Sequence, residues 1–398
     1  MLTLDEAQAR LLDGVAPLAS ETLAVSECLG RYLAEDCLAA RTQPVADLSA
    51  MDGYAMRADD STGPWRVIGE SAAGHPFAGV VSAGEAVRIS TGAMIPAFAD
   101  GAGEAVLLQE NATRAGDTLA LSGEDAPTPR HIRRKGFDFS TGDTLLPAGT
   151  HIGAAQLALA ISGGHGALPV HRLPQLAIID SGDELGADPA NLAPGQLPAS
   201  NGAMLAAMAA PCAGEITRLG PVPDQLEALL TALESAYEAD VVVTSGGASV
   251  GDHDLVRPAL ERWGAEIAFW KVAMKPGKPL LVARRGKQVV LGLPGNPVSS
   301  YVTAFLFLLP LLRRLAGAAQ PLPSPVRLAL AGEMREIGSR MEFVRAVQTG
   351  GTVAPLAQQD SSGLRALASA NALIRREIGA PAAQDGALVE AYLLENGG

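Results

Sequence analysis

The segment Asp240-Val-Val-Val-Thr-Ser245-Gly-Gly-Ala-Ser-Val-Gly251 decides the fold of this 398-residue chain. Its short apolar run is typical of a strand buried on both faces of a parallel sheet, and its glycines predict a turn into a helix. Leu176-Ala-Ile-Ile-Asp180 has the same form and ends in the turn Ser181-Gly-Asp-Glu184. Helical patterns separate such strands, so residues 173–319 are expected to form a doubly wound, parallel α/β unit.

The flanking sequence predicts two further kinds of structure. Residues 3–18 have helical spacing, with Thr3 and Glu6 placed for a capping box, and residues 152–161 are helical again. We expect these two helices to pack together in a discontinuous unit, 1–40 and 140–172. Short β-type runs split by Gly and Pro predict an inserted β-rich module at 41–139. After a Pro-rich linker, residues 320–398 are β-like again and predict a small barrel or sandwich.

Composition limits the classes of partner. The hydrophobic content of 48% is enough for real cores, and 44 Gly with 27 Pro indicate many turns. The net charge of −13 argues against binding to nucleic acid or to an anionic membrane. Cys28, Cys37 and Cys212 show neither zinc spacing nor a disulfide framework.

The sequence favours a cytoplasmic protein. The first ten residues carry acids where a signal peptide needs a basic start and an apolar core. The longest apolar run, 301–312, contains Pro310 and is too short to span about 30 Å of hydrocarbon, so it predicts a buried core helix. The cysteine usage suits a reducing compartment.

A cluster of lysines predicts an anion site. Lys271-Val-Ala-Met-Lys275-Pro-Gly-Lys278-Pro is followed closely by Gly292-Leu-Pro294-Gly-Asn-Pro297-Val. Lys271 and Lys275 share a face at this spacing, and Pro276 favours a strand that ends in a turn. The alternative is three solvated surface lysines. In an acidic protein, positive charge concentrated beside two turns indicates a strongly anionic ligand.

The glycine turn after Ser245 predicts a phosphate cradle, although an ordinary turn fits the pattern equally well. Glycines let the backbone approach a ligand, and a helix N-terminus offers free N–H donors. Acids lie near these turns, at Asp183-Glu184 and at Asp252 and Asp254. They are candidates to hold Mg²⁺, which prefers oxygen ligands, or to cap helices.

Two strings in the N-terminal part are turns with polar groups. Met51-Asp52-Gly-Tyr-Ala55 places an acid in a sharp turn, and Ser90-Thr91-Gly-Ala93 places hydroxyl groups at a strand end. Taken singly, each string indicates only a turn.

Six strings together resemble the molybdopterin molybdenumtransferase family, which includes bacterial MoeA and the gephyrin E domain. The four further strings are Ser181-Gly-Asp-Glu-Leu185, Ser245-Gly-Gly-Ala-Ser-Val-Gly251, Lys275-Pro-Gly-Lys-Pro279 and Leu293-Pro-Gly-Asn-Pro-Val298. They occur in the order and approximate spacing of that family, and the resemblance extends to Arg340-Met-Glu-Phe-Val-Arg345 and to Ser361-Ser-Gly-Leu.

The resemblance implies a multidomain α/β fold. It consists of an elongated, discontinuous N-terminal part with an inserted β-rich module, a central α/β subdomain like that of the MoaB and MogA proteins, and a C-terminal β-barrel. It further implies a homodimer with its site between protomers. The implied reaction inserts molybdenum from molybdate into adenylylated molybdopterin and releases AMP, with Mg²⁺ required. Transient contact with the adenylyltransferase and with recipient molybdoenzymes is expected.

The resemblance also implies site residues. The implied catalytic residues are Asp52, Thr91, Asp138, Glu184, Asp224, Asp254, Lys271 and Lys275. The implied substrate-binding residues are Ser245, Gly246, Gly247, Ser249, Lys278, Pro294, Pro297, Arg340, Arg345 and Ser361. Glu184 and Asp254 are the implied ligands of Mg²⁺, and the lysines with Arg340 or Arg345 are expected to hold molybdate.

Two other functions share the central unit. One is molybdopterin adenylyltransferase, which needs only the α/β unit and not the flanking modules. The other is a non-enzymatic scaffold of the same fold, against which the intact lysines and acids argue.

Overall fold

The computed structural model describes residues 1–246 and 255–394. Its N-terminal helix, Leu4–Leu12, begins with the predicted capping box, in which Thr3 and Glu6 exchange hydrogen bonds of 2.9 and 3.3 Å. The helix ends earlier than the expected residue 18 because Gly14 adopts a positive φ of 68° and the chain turns away.

The N-terminal helix packs in a different place from the one expected. Leu4 and Leu11 lie in the core of the central unit, and Gln8 Nε2 donates to the Leu306 carbonyl at 2.8 Å. The predicted packing against the helix Ala154–Ser162 is therefore wrong. The amphipathic pattern identified the helix, but its partner is fixed by a long-range contact that the pattern does not contain.

The discontinuous unit is instead closed by strands. Ser20–Ala24 pairs antiparallel with Ala167–His171, and Cys37–Leu38 pairs with Thr144–Leu146. The helix Ala154–Ser162 covers their small core.

A β-rich module is inserted into this unit. Its six-stranded sheet has the order Ala112–Ala115, Thr118–Leu121, Trp65–Ser71, Glu85–Ile89, Gly53–Arg57, Glu104–Leu108. Two short pairs extend it: Leu48–Ser49 with Ile132–Arg133, and Val80–Val81 with Ala97–Phe98. Trp65, Met56 and Leu107 are buried on one face and Ile89 and Val106 on the other, as the alternating runs predict.

The central sheet has six strands, in the order Ile216–Val222, Leu176–Ser181, Val241–Ser245, Gln288–Leu293, Leu281–Arg285, Glu266–Trp270. The first four are parallel, and the two apolar strands predicted from the sequence, Leu176–Ser181 and Val241–Ser245, are neighbours among them. Leu281–Arg285 pairs antiparallel with both of its neighbours, so the expectation of a parallel sheet was wrong at this edge. Only Gly286 and Lys287 join Leu281–Arg285 to Gln288–Leu293, and so short a connection permits only an antiparallel hairpin.

Helices cover both faces of the sheet. They are Asn201–Ala209, Leu226–Ser235, Val256–Arg262 and a long helical segment made of Pro297–Thr303, Ala304–Leu308 and Leu309–Leu315. The middle turn of the long segment is a π-helix directly before Pro310, which cannot donate a backbone hydrogen bond. In the described part of the chain this is the one segment long and apolar enough to cross a membrane, yet 83% of its most apolar window is buried in the protein. The predicted core helix is confirmed.

The C-terminal unit is a closed five-stranded barrel, as the resemblance implied. The order of its strands is Met341–Thr349, Thr352–Pro355, Val326–Leu330, Leu388–Leu393, Ala372–Arg376. The last strand pairs with the first, which closes the barrel. The short strand Met274–Lys275 of the central unit adds to the barrel beside Met341 and Glu342. This pairing places residues 275–279, which we call the lysine turn, against the barrel.

Candidate functional site

The first cavity, of about 790 Å³, lies between the lysine turn and the barrel. Its walls carry four cationic side chains, from Lys275, Lys278, Arg335 and Arg340. Three acids also line it, namely Glu333, Glu342 and Asp360. Predicted site residues from two distant parts of the chain therefore line one cavity, Lys275 and Lys278 from the lysine turn and Arg340 and Ser361 from the barrel. Such a cavity can hold a small anion.

The turn around Lys275 is shaped by Gly277. Gly277 has a φ of 101°, and a Cβ atom there would lie 2.5 Å from Cγ2 of Thr303, so only glycine fits. Lys275 emerges beside Glu342, whose Oε1 lies 3.5 Å from Lys275 Nζ. The same carboxylate accepts two hydrogen bonds from Arg335, at 2.7 and 2.8 Å. Glu342 thus holds two cations at the cavity wall.

Lys271 lies outside this cavity, in contrast to the predicted shared face. The strand ends at Trp270, and Lys271 has a φ of 69°, so the alternation of a continuous strand is broken before Met274. Its ammonium group lies 3.9 Å from the centroid of the Trp270 ring, in a cation–π contact.

Arg345 is also placed differently from the expectation. Arg340 and Ser361 line the first cavity, but Arg345 is only 1% exposed. Its guanidinium donates to the carbonyls of Asp360 and Gly363, at 2.9 and 3.2 Å. Burial lowers the pKa of this guanidinium. The prediction that Arg345 contacts an anion in the cavity is therefore wrong. Arg345 instead supports the cavity wall from inside the barrel.

The second cavity, of about 600 Å³, lies at the carboxyl ends of the parallel strands, where ligands bind in open α/β sheets. The predicted residues that line it are Glu184, Asp224, Gly246, Pro294 and Pro297. Pro279 lines both cavities, and the neighbouring residues Ser361 and Ser362 line one each. The two cavities therefore adjoin.

Gly246 begins the predicted phosphate cradle. Its φ is 104°, and a Cβ atom there would lie 2.4 Å from the Ser181 carbonyl oxygen, which makes glycine necessary. Ser245 is buried, and its hydroxyl accepts a hydrogen bond from Asn201 Nδ2 at 2.9 Å. Ser245 therefore does not line the cavity itself but positions Asn201, which does. Gly247, Ser249, Asp252, His253 and Asp254 lie outside the described residues.

Two polar residues of the second cavity were not predicted as site residues. Asp180 is 5% exposed, and burial raises the pKa of its carboxyl to about 6. Its Oδ2 accepts from the Gly202 amide at 3.1 Å, whereas Oδ1 has no partner. Asn201 donates to Gly295 as well as to Ser245, and its Oδ1 is also unpartnered. Asp180 is the acid at the end of an apolar run, and this position is the sequence signal that could have identified it as a site residue.

The second cavity carries acids of the kind that bind Mg²⁺, and Glu184 and Asp224 are among them. Asp183 and Asp224 cap each other's backbone amides, with contacts of 3.4 and 3.0 Å, and this fixes Asp224, which lines the same cavity as Glu184. No group of three possible metal ligands occurs among residues 1–246 and 255–394. Mg²⁺ commonly uses one or two carboxylates together with substrate phosphates and water, so the pair Glu184 and Asp224 fits it.

The remaining predicted acids lie in the inserted module. The Thr91 amide donates to Asp52 Oδ1 at 2.7 Å, and this hydrogen bond lowers the pKa of Asp52. Asp52, Thr91 and Asp138 do not line either cavity of their own chain. Exposed apolar side chains stand near them in sequence: Met51, Met94 and Phe137.

An α/β domain with a cavity at its strand ends and an adjoining cationic cavity is the architecture of an enzyme for an anionic small molecule. Three family models match the chain. They are "MoeA N-terminal region (domain I and II)" over residues 2–164, "Probable molybdopterin binding domain" over 177–314, and "MoeA C-terminal region (domain IV)" over 327–394.

Full-length relatives give the same result. A molybdopterin molybdenumtransferase of Haemophilus influenzae is 36% identical over 87% of this chain and 85% of its own length. One of Staphylococcus aureus is 31% identical over 99% and 96%. The crystal structure of a Pyrococcus horikoshii MoeA protein covers 99% of this chain and all of its own, at 27% identity and a TM-score of 0.84. This chain belongs to the MoeA family of molybdopterin molybdenumtransferases, which confirms the resemblance.

Proposed function

We propose that this transferase inserts molybdate into adenylylated molybdopterin and releases AMP in an Mg²⁺-dependent reaction. The main support for the proposal is that two cavities with different linings adjoin at Pro279. One is cationic and suits a small dianion. The other lies at the strand ends and has a glycine turn and acids, which suits a phosphorylated pterin with its nucleotide.

In the first cavity, Lys275, Lys278 and Arg340 would bind the dianion molybdate. Their charges and N–H donors match the oxygens of a tetrahedral oxyanion. Glu342 already neutralises part of this charge through Lys275 and Arg335. An incoming dianion would therefore compete with Glu342 for the same cations.

In the second cavity, the residues at the strand ends would bind and orient the adenylylated substrate. The glycine at 246 lets the backbone approach a phosphate group, and Asn201 fixes the turn before Pro297 by its hydrogen bond to Gly295. Glu184 and Asp224, with Asp254, would hold Mg²⁺. When bound, this ion would supply charge stabilisation at the phosphoanhydride bond to AMP, which breaks in the reaction.

The proposal includes a homodimer in which the partner completes the site. Asp52, Thr91 and Asp138 resemble family site residues, yet they line neither cavity of their own chain. Met51 is 41% exposed, Met94 40% and Phe137 75%, and such apolar groups favour burial in an interface. The inserted module of one protomer would thus face the cavities of the other.

We further place the protein in the cytoplasm, in transient contact with the adenylyltransferase and with recipient molybdoenzymes. Its three cysteines are buried, and no disulfide occurs among the described residues, which is compatible with a reducing compartment.

The test is AMP release by the purified dimer from adenylylated molybdopterin. We expect release when molybdate and Mg²⁺ are both present, and little release when either is omitted. Consumption of ATP with free molybdopterin would instead support an adenylyltransferase. No release with all components present would contradict the proposed reaction.

A further inference from the structure

Arg345 is a charged residue in the interior of the barrel. It lies on Met341–Thr349, where Met341, Phe343 and Arg345 are 5%, 3% and 1% exposed, so it occupies an inward-facing position of the strand. It forms no ion pair with any residue that the structure describes. The Asp360 carboxylate attracts it without a direct ion pair. A buried charge in that position is costly, so the hydrogen bonds of its guanidinium must hold it in place.

Those hydrogen bonds all go to one loop. The two terminal nitrogens of Arg345 donate to the carbonyls of Asp360 and Gly363, which bracket residues 360–363. The planar guanidinium makes both contacts at once, and a lysine could not reproduce that geometry. The loop is therefore fixed from the inside of the barrel.

The loop is also fixed to the central unit. Ser361 Oγ accepts a hydrogen bond from Asn296 Nδ2 at 3.0 Å, and the Ser361 carbonyl accepts one from the Val298 amide at 3.1 Å. Asp360 and Ser361 line the first cavity, whereas Ser362 lines the second. One short loop thus forms part of the wall of both cavities.

We propose that Arg345 is a positioning residue that holds both ends of residues 360–363, so that this shared wall responds as one unit and couples the two cavities. An oxyanion in the first cavity and a nucleotide in the second both depend on the same loop position. Each therefore favours the arrangement that the other requires. By linkage, the gain in affinity must be the same in both directions. This inference rests on the proposed function, because it takes molybdate and AMP as the two ligands.

The experiment measures the binding of molybdate and AMP, separately and together, by calorimetry on the intact protein with Mg²⁺. For the wild type we expect molybdate to bind more tightly when AMP is present. Arg345→Met should weaken both ligands, molybdate by about tenfold and AMP by about threefold, and should remove the mutual enhancement. Arg345→Lys should behave like Arg345→Met, because it keeps the charge and loses the two-point contact.

Arg376→Met is the matched control. Arg376 is also buried in the barrel, at 6% exposure, and it also donates to backbone carbonyls, those of Arg335 and Pro381. Neither of these residues lines the second cavity. We expect this variant to lose thermal stability but to keep the affinity of the wild type for AMP.

The outcomes separate this inference from the proposed function. A wild type that binds neither ligand would contradict the proposed function. A wild type that binds both, with unchanged coupling in Arg345→Met, would overturn only the role of Arg345. Full recovery of coupling in Arg345→Lys would assign the effect to charge and would also overturn positioning.

Discussion

Lys275 and Glu342 are register partners between the lysine turn and the barrel, and Lys275 Nζ lies 3.5 Å from Glu342 Oε1. The Lys275 side chain is 49% exposed, whereas the Glu342 side chain is only 15% exposed. The acid is thus the more fixed member of the pair and holds the flexible ammonium group at the cavity wall. The contact joins two domains at the place where the anion is proposed to bind.

Glu342→Gln should tighten molybdate binding, because it removes the carboxylate that competes with the dianion for Lys275 and Arg335. We expect the dissociation constant to fall by about threefold at low ionic strength. Calorimetric titration with molybdate checks this. Glu377→Gln, which removes a carboxylate paired with Arg375 elsewhere on the barrel, is the control. Weaker binding in Glu342→Gln would show that the acid chiefly positions the cations.

Lys275→Ala should impair molybdate use far more than it impairs stability. The lysine is half-exposed, and an exposed ion pair contributes only about 0–1 kcal/mol to folding. We expect the KM for molybdate to rise at least about tenfold with almost no change in Tm. Lys287→Ala, an exposed lysine in the Leu281–Arg285 to Gln288–Leu293 hairpin, should change neither quantity. Comparable losses of activity and stability would make Lys275 structural.

Asp180→Asn should stabilise the protein at neutral pH. Burial raises the pKa of Asp180 to about 6 from 3.8, so between these values the native state binds more protons than the unfolded state. Stability from this group is therefore complete at low pH and is lost as pH rises through about 6. We expect the variant to exceed the wild type by about 1–3 kcal/mol at pH 7.5 and to match it near pH 4.

Urea denaturation at the two pH values measures this difference. Asp117→Asn, which changes an exposed carboxylate, is the control and should show no such dependence on pH. An Asp180→Asn variant that is less stable than the wild type at pH 7.5 would mean that the ionised carboxylate is stabilised in the fold.

Mixed dimers test whether the site is shared between protomers. At a molybdate concentration well below the KM of Lys275→Ala, the homodimers of Asp52→Ala and of Lys275→Ala should both have little activity. A mixed dimer has one site with both defects and one intact site, if Asp52 acts in the partner's cavity. Equal mixing should therefore restore about a quarter of the activity of the wild type. AMP release after unfolding and refolding the mixture measures it, and no recovery would place Asp52 in its own chain's site.

Much of the fold followed from local patterns. The two apolar strands and the long buried helix could be predicted because burial on both faces leaves an uninterrupted apolar run. The packing of Leu4–Leu12 could not be predicted, since an amphipathic face does not specify its partner. The antiparallel pairing of Leu281–Arg285 with Gln288–Leu293 could have been predicted, because a connection of two residues between strands permits only an antiparallel hairpin.

The sequence predicts the site residues that belong to turn motifs, but not those whose positions depend on tertiary contacts. Pro294, Pro297 and Lys275 line the cavities as the motifs imply. Lys271 differs because its positive φ ends the strand alternation. Asp180 was missed because only the fold shows that its Oδ1 lacks a partner.

The buried position of Arg345 could have been predicted from the sequence. Met341, Phe343 and Arg345 alternate on one strand, and two apolar residues at that spacing indicate an inward face. The period of the strand therefore predicts a buried arginine, while the motif alone suggested an exposed one.

The anomalous scattering of molybdenum in crystals soaked with molybdate and AMP locates the oxyanion site. We expect one molybdenum peak in the first cavity, between the lysine turn and the barrel, with Lys275 and Arg340 as its nearest cations. A peak elsewhere, with this cavity empty at saturating molybdate, would rule out the first cavity as the molybdate site.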